Sequence, residues 1–198
     1  HVVLDEADRM VDIGFINDIK YFISLLSPNR QSLFFSATIS SRVKEILNAF
    51  VINPITISVE KQATAENIEQ KTIKAGKHEK IDKLHDLLSL EEFGKVLVFG
   101  RTKWGMQKLT NELVRRGVRA AVIHGNKSQG QRQKALEQFK NNQVSVLLAT
   151  DVASRGLDIP DVSHVINFDM PASFDDYIHR IGRTGRANKK GIALTFID

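Results

Sequence analysis

Short apolar runs alternate along the chain with longer stretches whose apolar residues recur at helical spacing. His1–Leu4, Ser32–Phe35, Lys95–Phe99, Ala120–Ile123, Val144–Ala149, Val165–Phe168 and Ile192–Ile197 are rich in β-branched residues and mostly lack polar alternation. That pattern predicts strands covered on both faces, as in parallel sheets. Ile55–Val59 is a further, shorter strand candidate. Between the strands, Lys80–Leu90 sets Ile81, Leu84, Leu87 and Leu88 on one helical stripe. Trp104–Arg116 does the same with Met106, Leu109 and Leu113 and stops before Gly117, a suitable C-terminal cap. Gln131–Lys140 carries Ala135, Leu136 and Phe139. The alternation of strand and helix predicts an α/β fold, a doubly wound parallel sheet with right-handed crossovers and helices on both faces.

Glu60–Gln70 breaks this rhythm. It is polar and without periodicity, and it reads as an interdomain linker centred on 59–67. Residues 1–58 are then an incomplete α/β unit and residues 68–198 a complete domain. The chain opens on His1 inside a strand-like run and closes on Asp198 directly after another, so both ends are expected to be cuts within a longer protein.

Composition narrows the class. Of 198 residues, 42% are hydrophobic and 26% charged, as in soluble globular proteins. With no Cys, a disulfide framework and a Cys-ligated zinc site are excluded, which fits a reducing, cytoplasmic setting. The apolar runs fall far short of the roughly 20 residues a bilayer-spanning helix needs, so no membrane association is expected. A net charge of +5 permits a polyanionic partner. The clustering of Arg180, Arg183 and Arg186 says more than the total does.

Candidate chemistry begins at Asp5 and Glu6, which follow an apolar strand and so lie at the C-terminal edge of a parallel sheet, where open α/β folds bind ligands. One carboxylate there can hold Mg²⁺ and a second can orient a water for attack on phosphate. The plainer alternative is that the acidic pair caps the following helix. Ser36-Ala37-Thr38 follows a second buried strand and falls at the same edge, where its hydroxyls could reach a carboxylate such as Asp8. In the Tyr177–Ala187 run, arginines recur every third residue with Gly182 and Gly185 between them. That spacing suits a turn in which planar guanidinium groups converge on phosphate while glycines allow close backbone approach.

Taken together, these runs resemble the DEAD-box ATP-dependent RNA helicases of superfamily 2. VLDEAD and FSAT resemble motifs II and III of that family, VFGRT (Val98–Thr102) motif IV, ATDVASRGLDIP (Ala149–Pro160) motif V and YIHRIGRTGRA (Tyr177–Ala187) motif VI. IHGNKSQGQR contains the family's Gln-x-x-Arg element as Gln129 and Arg132. The resemblance covers essentially the whole chain, and GNKSQ with the LDEADRM opening is most similar to the bacterial RhlE-type branch.

The resemblance implies two RecA-like domains, the second complete and the first represented by its C-terminal part, with ATP and Mg²⁺ in the cleft between them. It implies that Asp5 holds Mg²⁺, that Glu6 activates water, and that Arg183 and Arg186 reach the γ-phosphate. Asp158 would bind the ATP ribose, and Gly156 would let the backbone approach the nucleotide. Asp8, Ser36, Thr38, His179 and Arg180 would couple the two domains and their ligands. Thr102, Gly125, Arg132 and Thr150 would line a surface for RNA phosphates and sugars, read without regard to sequence. Asp151 and Arg155 would organise the motif V loop, and Phe99 would pack behind it. Trp104, at a helix start beside Met106, is expected to pack rather than to stack on a base. Further protein partners would bind through segments beyond this chain.

The chain departs from the family at Gly100, where a larger residue is common. It also contains no G-x-x-x-x-G-K-[ST] phosphate loop. These residues alone are therefore expected to hydrolyse no ATP, and residues 1–58 to be less stable than the rest. Two other readings remain open at this point, a non-catalytic RNA-binding or regulatory module and a DNA helicase of a related branch.

Overall fold

The computed structural model describes residues 1–37, 39–58, 67–76, 78–154, 159–186 and 189–197. The chain divides into two compact units, His1–Glu60 and Lys61–Asp198.

In the first unit, β1 (Val2–Leu4) leads into α1 (Ala7–Ile13) and α2 (Ile16–Ser24), and β2 (Ser32–Phe34) leads into α3 (Ser41–Phe50). β1 and β2 are parallel, with Leu4 opposite Phe34. Leu4 packs with Val11, Ile19, Ile23, Val43, Ile46 and Phe50 from the three helices. Val3, Leu33 and Phe35, of alternate parity, are exposed. α3 begins where Ser40 Oγ accepts the Val43 N–H at 3.3 Å, an ordinary serine N-cap.

The second unit runs β3 (Ile68–Lys74), α4 (Lys80–Leu88), β4 (Val96–Phe99), α5 (Lys103–Arg115), β5 (Ala120–Ile123), α6 (Gln129–Lys140), β6 (Val146–Ala149), α7 (Asp151–Ser154), β7 (His164–Asn167), α8 (Phe174–Ile181) and β8 (Gly191–Ile197). Its six strands form one sheet in the order β3-β8-β7-β4-β6-β5, and every pairing is parallel. This is a doubly wound sheet, the fold class that the alternating pattern predicts.

The reason lies in strand parity. On β4, Val96 and Val98 face Leu84 of α4 and Met106, Leu109 and Leu113 of α5. Leu97 and Phe99 face Ala135, Leu136 and Phe139 of α6 and Ala153 of α7. Ile181 of α8 packs with Ile68 and Ala193 on the β3–β8 side. β4 thus sends its chain over one face, while its neighbours β6 and β7 send theirs over the other. A crevice opens at the C-terminal ends of such strands.

One sequence expectation is corrected here. Described residues 55–58 form no strand, and Ile55 and Ile57 are 91% and 84% exposed. A β-branched run becomes a strand only where a neighbour satisfies its backbone, and no described strand pairs with this one. Conversely, Ile68 begins a strand, β3, that the apolar pattern does not predict. β3 is an edge strand with Glu69, Gln70, Lys71 and Thr72 exposed, so it carries no apolar run to announce it. Of the linker, residues 59–66 lie outside the described residues.

Candidate functional site

In the first unit, the acidic element sits where the pattern predicts, directly after β1. Asp5 is exposed, and its Oδ1 accepts the Glu6 N–H at 2.9 Å. Glu6 is the N-cap of α1 but makes no side-chain capping bond, and its backbone is left-handed at φ 49°, ψ 43°. The reading of this acidic pair as a simple side-chain cap is therefore not realised at Glu6. A non-glycine residue held there is strained, and such strain concentrates at functional sites. Asp8 is buried in the first turn of α1, and its backbone N–H donates to Ser36 Oγ at 3.2 Å. The Ala7 N–H donates to Phe35 O at 3.1 Å and the Phe35 N–H to Leu4 O at 2.8 Å, so the ends of β1 and β2 are laced together. Asp5, Glu6, Asp8 and Ser36 thus share one edge. Thr38 lies outside the described residues.

In the second unit, the centre of the site is Arg180, only 2% exposed. Its Nε and Nη2 donate to the two carboxylate oxygens of Asp151 at 2.6 and 2.8 Å. Its Nη1 donates to Asn167 Oδ1 at 3.1 Å and to Asp169 O at 2.7 Å. Its guanidinium lies 5.2 Å from the centre of the Phe99 ring. Asn167 is itself fully buried, and its Nδ2 donates to Thr195 Oγ1 at 3.1 Å. One guanidinium thus joins the ends of β4, β6 and β7 to α8, a bidentate, charge-assisted arrangement that Lys could not reproduce.

α8 forms because Ser173 Oγ accepts the Asp176 N–H at 3.1 Å and Asp175 and Asp176 occupy its positive first turn. It ends at Gly182, and the turn carrying Arg183 and Arg186 follows. Arg183 is half-buried and its N–H donates to Arg180 O at 3.1 Å. Arg186 is exposed, with Nε donating to Gly182 O at 2.8 Å. Thr184, fully buried, pins the turn by donating to Val162 O and Ser163 O. Gly185, at φ +66°, lies so close to Ile68 that a Cβ would stand 2.6 Å from its Cγ1. His179 is half-buried, and its Nδ1 has no hydrogen-bond partner among the described residues.

The remaining candidates sit around the same strand ends. Thr150 is buried directly after β6. Arg132 lies one turn into α6 and donates through Nη2 to Ala153 O at 3.2 Å, tying α6 to α7. α6 opens at Gln129, two residues earlier than its pattern suggests, on a capping box between Ser128 and Gln131. Gly125 is exposed after β5. Thr102 caps α5, its Oγ1 accepting the Gly105 N–H at 3.0 Å, which leaves its own O–H free to donate. Gly156 and Asp158 lie outside the described residues.

Sequence reasoning missed Asn167 and Asp169. Asp169 accepts the Arg101 N–H at 2.8 Å through Oδ2. The available signal was an Asn at the end of an apolar strand, where a polar side chain must find a buried partner. Trp104 is a correction: it is 69% exposed rather than packed beside Met106. Burial pushes the His124 and His164 pKa values below the ordinary range, and Lys127 and Lys103 add to the effect at His124. Among the described residues, no helix is long and apolar enough to cross a membrane.

Known proteins resemble this chain along nearly its whole length. A family model for the helicase conserved C-terminal domain matches residues 79–188, and one for the DEAD/DEAH box helicase matches residues 1–46. The DEAD-box ATP-dependent RNA helicase CshA of Bacillus licheniformis is 47% identical over 99% of this chain and 40% of its own length. This chain therefore spans about 40% of the curated relatives it matches. The structure of Saccharomyces cerevisiae Dbp5 bound to RNA and ADP BeF3 matches with a TM-score of 0.85 at 32% identity, over 98% of this chain and 52% of that one. Escherichia coli DEAD-box protein SrmB, bound to regulator of ribonuclease activity A, matches with a TM-score of 0.64 at 44% identity, over 66% of this chain and 77% of that one.

Proposed function

We propose, since this chain belongs to the DEAD-box family of RNA helicases, that its full-length protein couples ATP hydrolysis to local separation of RNA duplexes or remodelling of RNA–protein complexes. The observation that carries this reading is the likeness, along nearly the whole chain, to Dbp5 in a state holding RNA and ADP BeF3. The domain reading follows: residues 1–58 as the C-terminal part of a first RecA-like domain and 68–198 as the second.

The chain's residues take the following roles. Glu6 orients the attacking water and takes its proton. Asp5, an exposed carboxylate at a strand end, suits a Mg²⁺ that draws its other ligands from phosphates and water. When bound, the Mg²⁺–ATP pair supplies the phosphoryl group and a metal that neutralises its developing charge. Arg183 and Arg186 donate to that charge from a turn that Arg180 and Thr184 hold rigid. Gly156 and Asp158 hold the nucleotide's sugar side. Thr102, Gly125, Arg132 and Thr150 hold RNA phosphates and sugars, and Asp8, Ser36, Thr38, His179 and Arg180 link the two ligands.

Within the family, the GNKSQ and LDEADRM runs support the RhlE-type branch, whereas the relatives compared above carry the name CshA; a tree of full-length sequences tests the branch. A cytoplasmic setting goes with this reading, and the SrmB complex supports a role for protein partners.

The test is ATP turnover by the full-length protein with single-stranded RNA, with DNA of the same length, and with neither. RNA should stimulate and DNA should not, and Arg186→Ala should lower kcat by about 10³-fold or more. Equal stimulation by DNA would move the protein to the DNA-helicase branch. An unchanged kcat in Arg186→Ala would remove that arginine from the site.

A further inference from the structure

Trp104 is the one tryptophan of the sequence, and it is largely exposed. It is the second residue of α5, and at about 100° per residue it lies roughly opposite Met106, which packs into the core. Among the described residues its ring stacks on no other ring and its indole N–H has no acceptor. An indole brings a large apolar face that normally goes to a core or an interface.

The surroundings favour an anionic ligand. Residues 100–111 contain Arg101, Lys103 and Lys108 and no Asp or Glu. Lys108 lies one turn on from Trp104 and is exposed on the same side of the helix. Lys103 Nζ donates to Asn126 Oδ1 at 2.9 Å, and His124 meets Gln107 at 3.3 Å, so the start of α5 is tied to the turn containing Gly125. Thr102, two residues before Trp104, and Gly125, in the turn tied to Lys103 and Gln107, are both assigned to RNA above.

We infer that Trp104 is a stacking platform for one unpaired base of the RNA strand whose phosphates these neighbours hold. The inference rests on the RNA-helicase reading and goes beyond it, because backbone contacts read no bases. A stacked base must be out of the helix, so Trp104 favours single strands over duplex while tolerating any base.

The test compares the full-length protein with Trp104→Ala and Trp104→Phe in binding a labelled oligoadenylate. Alanine should weaken binding about tenfold, or about 1.4 kcal/mol, and phenylalanine should restore most of the loss. The slope of log affinity against log salt should not change, since no phosphate contact is lost. The emission component absent from Trp104→Phe should be quenched by the oligoadenylate and not by inorganic polyphosphate. Unchanged affinity in Trp104→Ala, an equal loss towards polyphosphate, or a shallower salt slope would each overturn the inference. If Trp104→Ala binds RNA normally but loses a co-purifying protein, the face belongs to a protein partner and stacking is refuted. Tight RNA binding without quenching refutes stacking alone. Failure of the wild type to bind RNA refutes the functional reading as well.

Discussion

Arg180 on α8 grips Asp151 at the start of α7 with two parallel hydrogen bonds, of 2.6 and 2.8 Å, so one ion pair holds α8 against α7. The arginine turn begins one residue beyond α8, and the Ala149–Pro160 run passes through α7. Any shift of α8 against the strand ends would therefore displace Arg183.

Arg180→Ala leaves Asp151 without its fork and orphans Asn167 Oδ1 and Asp169 O. It should cost about 3 kcal/mol, the lower end for a broken buried pair because Asp151 is partly exposed. Arg180→Lys keeps the charge but offers one point donor, so it should fall between the two. Urea unfolding reads the stability, and ATP turnover of the full-length protein, below the variants' unfolding temperature, should drop in both. A lysine variant matching the wild type in both measurements would refute the geometric role.

Gly100 leaves a space that Met106 fills. A Cβ at Gly100 would stand 2.0 Å from Met106 Cε and 3.1 Å from Asp169 Oδ2. Gly100→Val should therefore destabilise by about 1–3 kcal/mol through overpacking. In Met106→Ala the same change should cost much less, a coupling that a double-mutant cycle in urea detects. Additive costs would show that the space is not shared.

Stability should fall on mild acidification. His124 and His164 are buried and their folded pKa values are lowered, so the unfolded chain takes up protons first as pH drops below about 6.5. Their contribution is complete above that value and shrinks as pH falls towards the folded pKa values. The urea midpoint should decrease from pH 7.5 to pH 5.5, and His124→Gln or His164→Gln should each flatten the profile. A midpoint that is flat over this range in the wild type contradicts the prediction.

These 198 residues contain no phosphate-loop motif, so the chain produced by itself should show no RNA-stimulated ATP turnover. Hydrogen exchange on it should find weaker protection in residues 1–58, where Val3, Leu33 and Phe35 are exposed, than in the six-stranded unit. Turnover by this chain, or uniform protection, would count against both expectations.

Much of the fold was legible beforehand because a buried parallel strand needs an uninterrupted apolar run, and β4, β5 and β6 have one. α4, α5 and α6 were visible in their stripes because each packs on one face. β3 and α7 lack such signals, since β3 is polar at a sheet edge and α7 is four residues long. Ile55–Val59 misled for the complementary reason, since β propensity expresses itself only beside a partner strand.

By itself the sequence determined the α/β class, the family resemblance and the strand ends at which Asp5, Ser36, Thr102, Gly125 and Thr150 lie, because periodicity and motif spacing are local properties of the chain. Only the tertiary structure decided what each side chain meets. It brought Asn167 and Asp169 to Arg180 from another strand end, let Met106 fill the space beside Gly100, and left Trp104 in solvent. Those outcomes depend on which faces the sheet order places together, and no local pattern carries that information.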